Sequence, residues 1–468
     1  MKRIRWIEFF AGGALLLSST ACTSLWGTAD HAPLAVPETY RVANAGDALT
    51  TDWWTAFGDG QLNALMGTTL AGNLSIEQAA ARLRQAEAAA VKSGAARFPS
   101  LTGSGKGETT TTGYRNSTID TKDNYSLGLS ASYELDLWGR VASGHRAALS
   151  SLKASRFDLE TAAMTVSAET VSTYVQWQQL NARLNLLTQQ LEDRRKMLSV
   201  MEARFKTSQA DALDVLNQRE KVAAVEAAIP PVKDSLQAVG NALAVLTGQP
   251  PQADLGLAVK PLPELPPRPA AGLPADLLSM RPDLKAAWAE LEQSDWNVRA
   301  AQAARLPAIT LTGSISTSDK DVDNLFDNWV GNLVAGLAMP LIDGGSRRAE
   351  VRRTKAVSDE RIAAYRATVY DALTEVEDAL SAEKNQQDTL AALVRQSGFS
   401  QAAADETFRR YTRGLETYYD ALNSRTSSQT QQLSELTARF NLVADRIQLC
   451  RVLGGNWEFF MEKYNEEK

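Results

Sequence analysis

Two histidines, His31 and His145, and two cysteines, Cys22 and Cys450, are the whole stock of imidazole and thiol in 468 residues. Their sequence spacing suits no zinc cluster. No Ser-His-Asp set stands out, and no glycine loop has the form of a phosphate cradle. The pattern that does carry chemistry is written twice. Arg204-Phe205 leads through Leu213-Asp214-Val215-Leu216-Asn217 to Arg219, and Arg410-Tyr411 leads through Tyr419-Asp420-Ala421-Leu422-Asn423 to Arg425 at identical spacing. Carboxylates, guanidiniums and phenols so placed can cap helices, pair with each other, or repel their own copies across a symmetry axis. They do not form the acid, base and nucleophile of a catalytic site. The net charge of −6 argues against a nucleic-acid partner, which selects a basic surface. The sequence therefore reads as that of a non-enzyme needing no cofactor and no metal.

The repeated motif belongs to a longer duplication, offset by about 206–208 residues. Ala95-Ala96-Arg97-Phe98-Pro99 recurs as Ala303-Ala304-Arg305-Leu306-Pro307, and Leu135 with Gly139 recurs as Leu341 with Gly345. Each half predicts a helix, two strands and two very long helices. Gly144 and Pro230 bracket about 85 residues without glycine or proline, and Gly345 and Gly398 bracket about 50. At 1.5 Å per residue a helix from Arg140 to Phe205 reaches about 100 Å, beyond the width of a globular domain. Leu180, Leu184, Leu187, Leu191, Leu198 and Phe205 follow alternating spacings of four and three, with Arg194 interrupting. Leu433, Leu436, Phe440, Val443, Ile447 and Cys450 repeat the pattern, which predicts coiled-coil seams with Cys450 as a packing residue.

Between the helices the period changes to two. Leu127, Leu129, Ala131, Tyr133, Leu135 and Leu137 alternate with Ser126, Gly128, Ser130, Ser132, Glu134 and Asp136. Ile309, Leu311 and Ile315 alternate with Thr310, Thr312, Ser314 and Ser316. A third strand carries Trp329, Leu333, Leu337, Met339 and Leu341 on one face, and a fourth lies near Leu101–Tyr114. Tyr114–Asn124 and Ser318–Asn328 are the expected hairpin loops. A soluble sheet with one wet face shows the same alternation. Strands of about 10–13 residues also suit a membrane barrel, although four are too few to close one, so strands from several chains would have to be pooled.

The N-terminus has the three parts of an export signal. Lys2, Arg3 and Arg5 precede an apolar run to Leu17, and Ser18-Ser19-Thr20-Ala21 leads to Cys22. Ala21-Cys22 resembles the processing site of bacterial lipoproteins, which implies a lipid on Cys22. Plain cleavage leaving an unmodified thiol is the alternative.

On these motifs the chain resembles the outer-membrane factor (TolC-like) family, in its lipoprotein (OprM-like) branch. Further wording carries the resemblance: Asp52-Trp53-Trp54-Thr55-Ala56-Phe57-Gly58-Asp59, Leu273-Pro274-Ala275-Asp276-Leu277-Leu278 before Arg281-Pro282-Asp283, and Leu453-Gly454-Gly455-Asn456-Trp457. Ile229-Pro230-Pro231 looks like the family's mid-helix break. The resemblance implies an α+β fold, the outer membrane efflux protein fold. It expects a homotrimer with a 12-stranded barrel, four strands per chain, continued by a long α-helical periplasmic barrel. Residues 1–21 are then the signal peptide, 22–50 a lipidated extended arm, and 51–248 the first repeat. Residues 249–272 form a Pro-rich equatorial linker, 273–457 the second repeat and 458–468 a polar tail. The implied function is a passive efflux channel for drugs and toxic compounds, set in outer-membrane lipid. Its implied partners are a periplasmic adaptor and an inner-membrane pump of the proton-driven resistance-nodulation-division type. Protein secretion, metal-ion export and a soluble periplasmic coiled-coil scaffold are the alternatives.

The resemblance also assigns roles. Asp420 falls on the first gate-aspartate position, and Asn423 stands where members often have a second aspartate. Tyr411, Tyr418, Tyr419, Arg413 and Arg425 are candidates for the bonds that hold the tips closed. Glu416 stands where members often carry a basic residue. Ser208, Asp214, Gly414 and Glu416 mark the helix tips where an adaptor would dock. Helix capping by Asp214 and Asp420 is the plainer reading of both carboxylates.

Overall fold

A computed structural model of the chain describes residues 34–42, 49, 52–113, 119–455 and 457. The export signal, Cys22, most of the proposed arm, Asn456 and the 458–468 tail lie outside the described residues. One 3₁₀ turn, Trp53–Phe57, precedes α1 (Gly60–Gly72), α2 (Leu74–Ala95), β1 (Ser100–Thr112), β2 (Asp120–Leu135), α3 (Arg140–Lys206) and α4 (Ala212–Leu246). After an extended linker come α5 (Leu277–Met280), α6 (Pro282–Ala303), β3 (Ala308–Asp319), β4 (Val330–Ala338), α7 (Ser346–Thr412) and α8 (Tyr418–Leu453). The duplication reappears in the lengths: α3 and α7 each have 67 residues, α4 has 35 and α8 has 36.

Two compact units each draw on both halves of the duplication. One takes Gln85–Ala154 and Ala287–Arg366, and the other takes Val36–Arg84, Ser155–Ala286 and the stretch from Ala367. The single expected helix before β1 is two helices, because Asn73 interrupts it. Its carboxamide oxygen accepts from Ser75 N at 2.9 Å, starting α2, and its amide donates to Leu246 O at 2.8 Å. Gly72 lies so close to the end of α4 that a Cβ there would meet Thr247 O at 2.8 Å.

The first unit holds one antiparallel sheet in the order β1-β2-β3-β4. Its register places Gly103 opposite Leu129, Leu129 opposite Ile315, and Ile315 opposite Gly331. Side chains alternate across a pleated strand, so odd-numbered residues share one face throughout. That face carries Leu101, Leu127, Leu129, Tyr133, Leu311, Ile315, Leu333 and Leu337. The even face carries Thr102, Ser104, Ser126, Ser130, Thr312, Ser314 and Ser316. The apolar face is uncovered in the chain, with Leu333 77% and Leu337 70% exposed. Among the described residues β1 and β4 each keep one unpaired edge.

The strand ends differ from the sequence expectation. Leu137, Met339 and Leu341 lie past the strands, and Trp329 precedes β4. Pro340 cannot donate to a ladder, and Asp136 turns away to cap α3, accepting from Ala142 N at 2.7 Å. The first hairpin loop is shorter than expected. Pairing starts at Thr112–Asp120, and Thr109 donates to Asp123 at 2.7 Å across the strands.

In the second unit α3 and α4 pack along the predicted seam. Leu180, Leu187, Val232 and Val239 are buried together, with Leu184, Val225, Ile229 and Leu236 against them. α4 runs unbroken through Pro230 and Pro231, which corrects the expected break. An interior proline costs about 3 kcal/mol. The buried apolar side chains on either side of the pair contribute roughly 1.5–3 kcal/mol each, enough to hold the helix together across it. Phe205, the last residue assigned to the seam, is instead 48% exposed, because α3 ends one residue later. Cys450 is buried in α8, and burial pushes its thiol up to about 12, as suits an inert packing residue.

Three polar clusters fasten the linker and the chain ends within this unit. Arg281 donates to Asp283 at 2.6 Å, Glu375 at 2.8 Å and Val452 O at 3.1 Å. A Cβ on Gly454 would meet Arg281 at 3.0 Å. The Arg-Pro-Asp and Leu-Gly-Gly wordings are thus two sides of one contact, and Trp457 lies 6.3 Å from Trp54. In the second cluster Glu383 and Arg446, both buried, pair with each other, and Arg446 also donates to Pro266 O. In the third, Asp59 caps α1, accepts from Tyr174, and pairs with Lys260 at 2.6 Å.

Burial raises the Asp59 pKa, but the hydrogen bonds from Lys260 and Tyr174 outweigh it and hold the carboxyl below the usual carboxylate range. A depressed carboxyl adds stability that is present above its unfolded pKa and fades as pH falls through the folded value. The melting temperature of Asp59→Asn is therefore expected to fall less than wild type's between pH 6 and pH 3. Parallel curves would remove Asp59 from the acid response.

Candidate functional site at the helix tips

The two turns that join the long helices share one construction. Gln209 N donates to Arg204 O at 2.8 Å and Ser208 N to Phe205 O at 3.0 Å. Leu415 N donates to Arg410 O at 3.0 Å and Gly414 N to Tyr411 O at 3.0 Å. This paired bonding is the Schellman end, which needs a left-handed residue at its centre. Gly414 provides it at φ 75°, and Ser208 takes it at φ 56°, the one non-glycine with positive φ among the described residues.

The following helices begin alike. Asp211 accepts from Asp214 N at 2.8 Å, and Thr417 Oγ1 accepts from Asp420 N at 3.1 Å. The Asp214 and Asp420 carboxylates each reach back to their cap, Asp420 through the Thr417 hydroxyl. The caps themselves are Asp211 and Thr417, and both aspartates stand at the third helical position, bonded back to them. Asp420 and Asn423, three residues apart on α8, are both exposed on one helix face. Tyr419 is 63% exposed, and Glu416 is half-buried in the turn.

The remaining candidates tie the second tip to the first. The Arg204 guanidinium donates to the Tyr411 hydroxyl and lies 5.1 Å from the ring centre. Tyr411 packs 5.7 Å from Tyr418. Met201, Val215, Tyr418 and Leu422 form a buried cluster around them. Burial raises the Tyr418 phenol well above its ordinary value, so it acts as a hydrogen-bond donor, here to Gln218. Arg425 pairs with Asp193 of α3 at 2.8 Å and approaches Asp405 of α7 at 3.7 Å. Its counterpart Arg219 stays local, pairing with Glu202 at 2.8 Å. Arg413 is exposed.

Sequence reading missed the buried polar chain behind this cluster. Gln218 donates to Arg194 O at 2.7 Å, and Arg194 donates to Gln429 at 2.6 Å and Thr426 at 2.9 Å. The one available signal was Arg194, a charge at a seam position.

No group of His, Cys, Asp and Glu able to hold a metal occurs among the described residues, and no described helix is long and apolar enough to cross a membrane. The outer membrane efflux protein family profile matches residues 65–249 and 273–455. The pyoverdine export outer membrane protein OpmQ of Pseudomonas aeruginosa is 32% identical over 91% of this chain and 92% of its own. Outer membrane protein OprJ of the same species is 30% identical over 96% of both. The outer-membrane channel OprN superposes with a TM-score of 0.84 at 27% identity, covering 91% of this chain and 98% of OprN. The chain belongs to the outer membrane efflux protein family. It has that family's α+β fold and is an outer-membrane efflux channel, a class of transport protein rather than of enzyme.

Proposed function

We propose that three copies of this chain form a passive exit duct for small molecules, with a 12-stranded barrel in the outer membrane and a gate at the helix tips. The observation that carries this reading is the sheet. Its four strands of 9–16 residues have membrane length, its apolar face is exposed, and both its edges are unpaired among the described residues. An open apolar sheet invites edge pairing, and in lipid every backbone group must be paired, so β1 of one copy meets β4 of the next. The opposite face, rich in Ser and Thr, lines the lumen. It presents mostly hydroxyls, with Lys106 and Glu108 of β1 paired to each other at 2.6 Å.

The tips then carry the discrimination. Threefold symmetry brings three Asp420 carboxylates together, with Asn423 beside them adding hydrogen bonds and no charge. Arg204–Tyr411, Tyr418–Gln218 and Arg425–Asp193 hold the second tip against the first. Ser208, Asp214, Gly414 and Glu416 border the surface that receives a periplasmic adaptor, which joins the duct to a proton-driven inner-membrane pump. Lipid on Cys22 anchors the mature N-terminus.

The deciding experiment compares a deletion strain with its complemented form for retention of dyes, antibiotics, bile salts, heavy-metal ions and pyoverdine, the compound in OpmQ's name. Retention that rises on deletion and returns to normal with the wild-type gene supports the duct and names its cargo. Unchanged retention of every compound counts against small-molecule export and directs attention to secreted protein.

A further inference from the structure

Between α3 on one side and α7 and α8 on the other lies a cleft of about 760 Å³. Its most buried polar group is Arg194, only 3% exposed. A guanidinium taken out of water calls for a counter-charge, yet Arg194 bonds only neutral acceptors, Gln429 Oε1 and Thr426 Oγ1. Among the described residues its Nη1 has no hydrogen-bond partner, and neither has Nε2 of Gln429, which is 6% exposed; both atoms are shut off from water. These two free donors belong to one bonded pair and both residues line the cleft.

The nearby carboxylates are already in use. Asp193 is bound by Arg425 at 2.8 Å, and Asp405 accepts from Gln401 at 2.9 Å. Lys196 and Arg204 also line the cleft, which gives it four cations against two carboxylates. Burial pushes the Arg194 pKa down and Arg425 nearby adds to that, against the opposing pull of Tyr418, Asp193 and Glu220. The rest of the lining includes the apolar side chains of Met197, Val200 and Phe408.

We infer that this cleft binds an amphiphile with a single carboxylate, its tail lying along Met197, Val200 and Phe408 and its two oxygens accepting from Arg194 Nη1 and Gln429 Nε2 once those buried side-chain ends turn toward it. The two free donors match the two oxygens of one carboxylate. The apolar wall gives no reason for a bare inorganic anion to prefer this place. The site goes beyond transport, because binding here requires no passage through the duct.

Decanoate is the probe. Full-length protein in non-ionic detergent is melted with increasing decanoate below its micelle concentration, and in parallel with decanol and with acetate. A ligand that binds only the native state raises Tm with its concentration. Tm is expected to rise with decanoate and to stay unchanged with decanol or acetate. Arg194→Met and Val200→Trp are each expected to weaken the decanoate response at least tenfold. Val200 is 53% exposed, so the tryptophan fills the cleft without disturbing the buried chain, and it carries the test alone if Arg194→Met does not fold. No decanoate shift, or an equal shift in Val200→Trp, would overturn the site. An equal response to acetate would overturn the amphiphile, and an equal response to decanol would overturn the carboxylate.

Discussion

Glu383→Leu is expected to destabilise the protein by about 3–5 kcal/mol, the usual cost of stranding one member of a buried ion pair. Glu383 and Arg446 are 0% and 2% exposed. Removing the carboxylate leaves the Arg446 charge buried, with Pro266 O as its remaining acceptor. Arg268, 3.7 Å from the other carboxylate oxygen, loses its nearest anion as well. Adding Arg446→Met to Glu383→Leu removes the stranded charge and is expected to recover most of the loss, since apolar replacement of a buried pair is often neutral. Denaturant midpoints of the two variants measure both effects. If the double variant is as unstable as the single one, the pair's role is to hold the linker through Pro266 and Arg268 rather than to balance charge.

That pair could not be read from the sequence, and the reason is physical. In a long amphipathic helix most charges face water, and Glu383 and Arg446 sit among many others in α7 and α8 with nothing local to set them apart. Their burial comes from the linker crossing them, a contact between residues about 180 positions apart. What depends on period was legible: the alternation of Leu127 to Leu135 fixed the face of β2, and the run without glycine or proline after Gly144 marked long helix, although α7 continues through Gly398 and α4 through Gly240. Local rules failed where packing overruled them. Pro230 and Pro231 read as a break, yet the seam from Val225 to Val239 holds α4 through both. Arg194 read as an interruption of the seam, whereas it is the centre of the polar chain joining α3 to α8. The tip motif was visible as a repeat, but the repeat concealed a division of labour. Arg219 pairs close by in sequence, while Arg425 reaches to α3 and α7.

The same duplication supplies the control for the gate. Asp214 and Asp420 hold the same third helical position behind the caps Asp211 and Thr417 in the two tips. If both merely cap, replacing either with alanine costs at most about 0.5–2 kcal/mol of helix stability and leaves conduction alone. If three Asp420 carboxylates ring the pore, Asp420→Ala alone is expected to raise single-channel conductance in planar bilayers and to reduce preference for cations, as loss of an acidic ring does. An electrostatic barrier on the order of 1 kcal/mol corresponds to a several-fold change in conductance. Asp420→Asn separates charge from bonding, because its amide oxygen can still accept from the Thr417 hydroxyl. It is expected to keep the cap and lose the cation preference. Equal behaviour of the Asp214 and Asp420 variants would leave both carboxylates as caps. The constriction would then have to be sought among the exposed Tyr419 rings, one turn of the same helix away from Asn423.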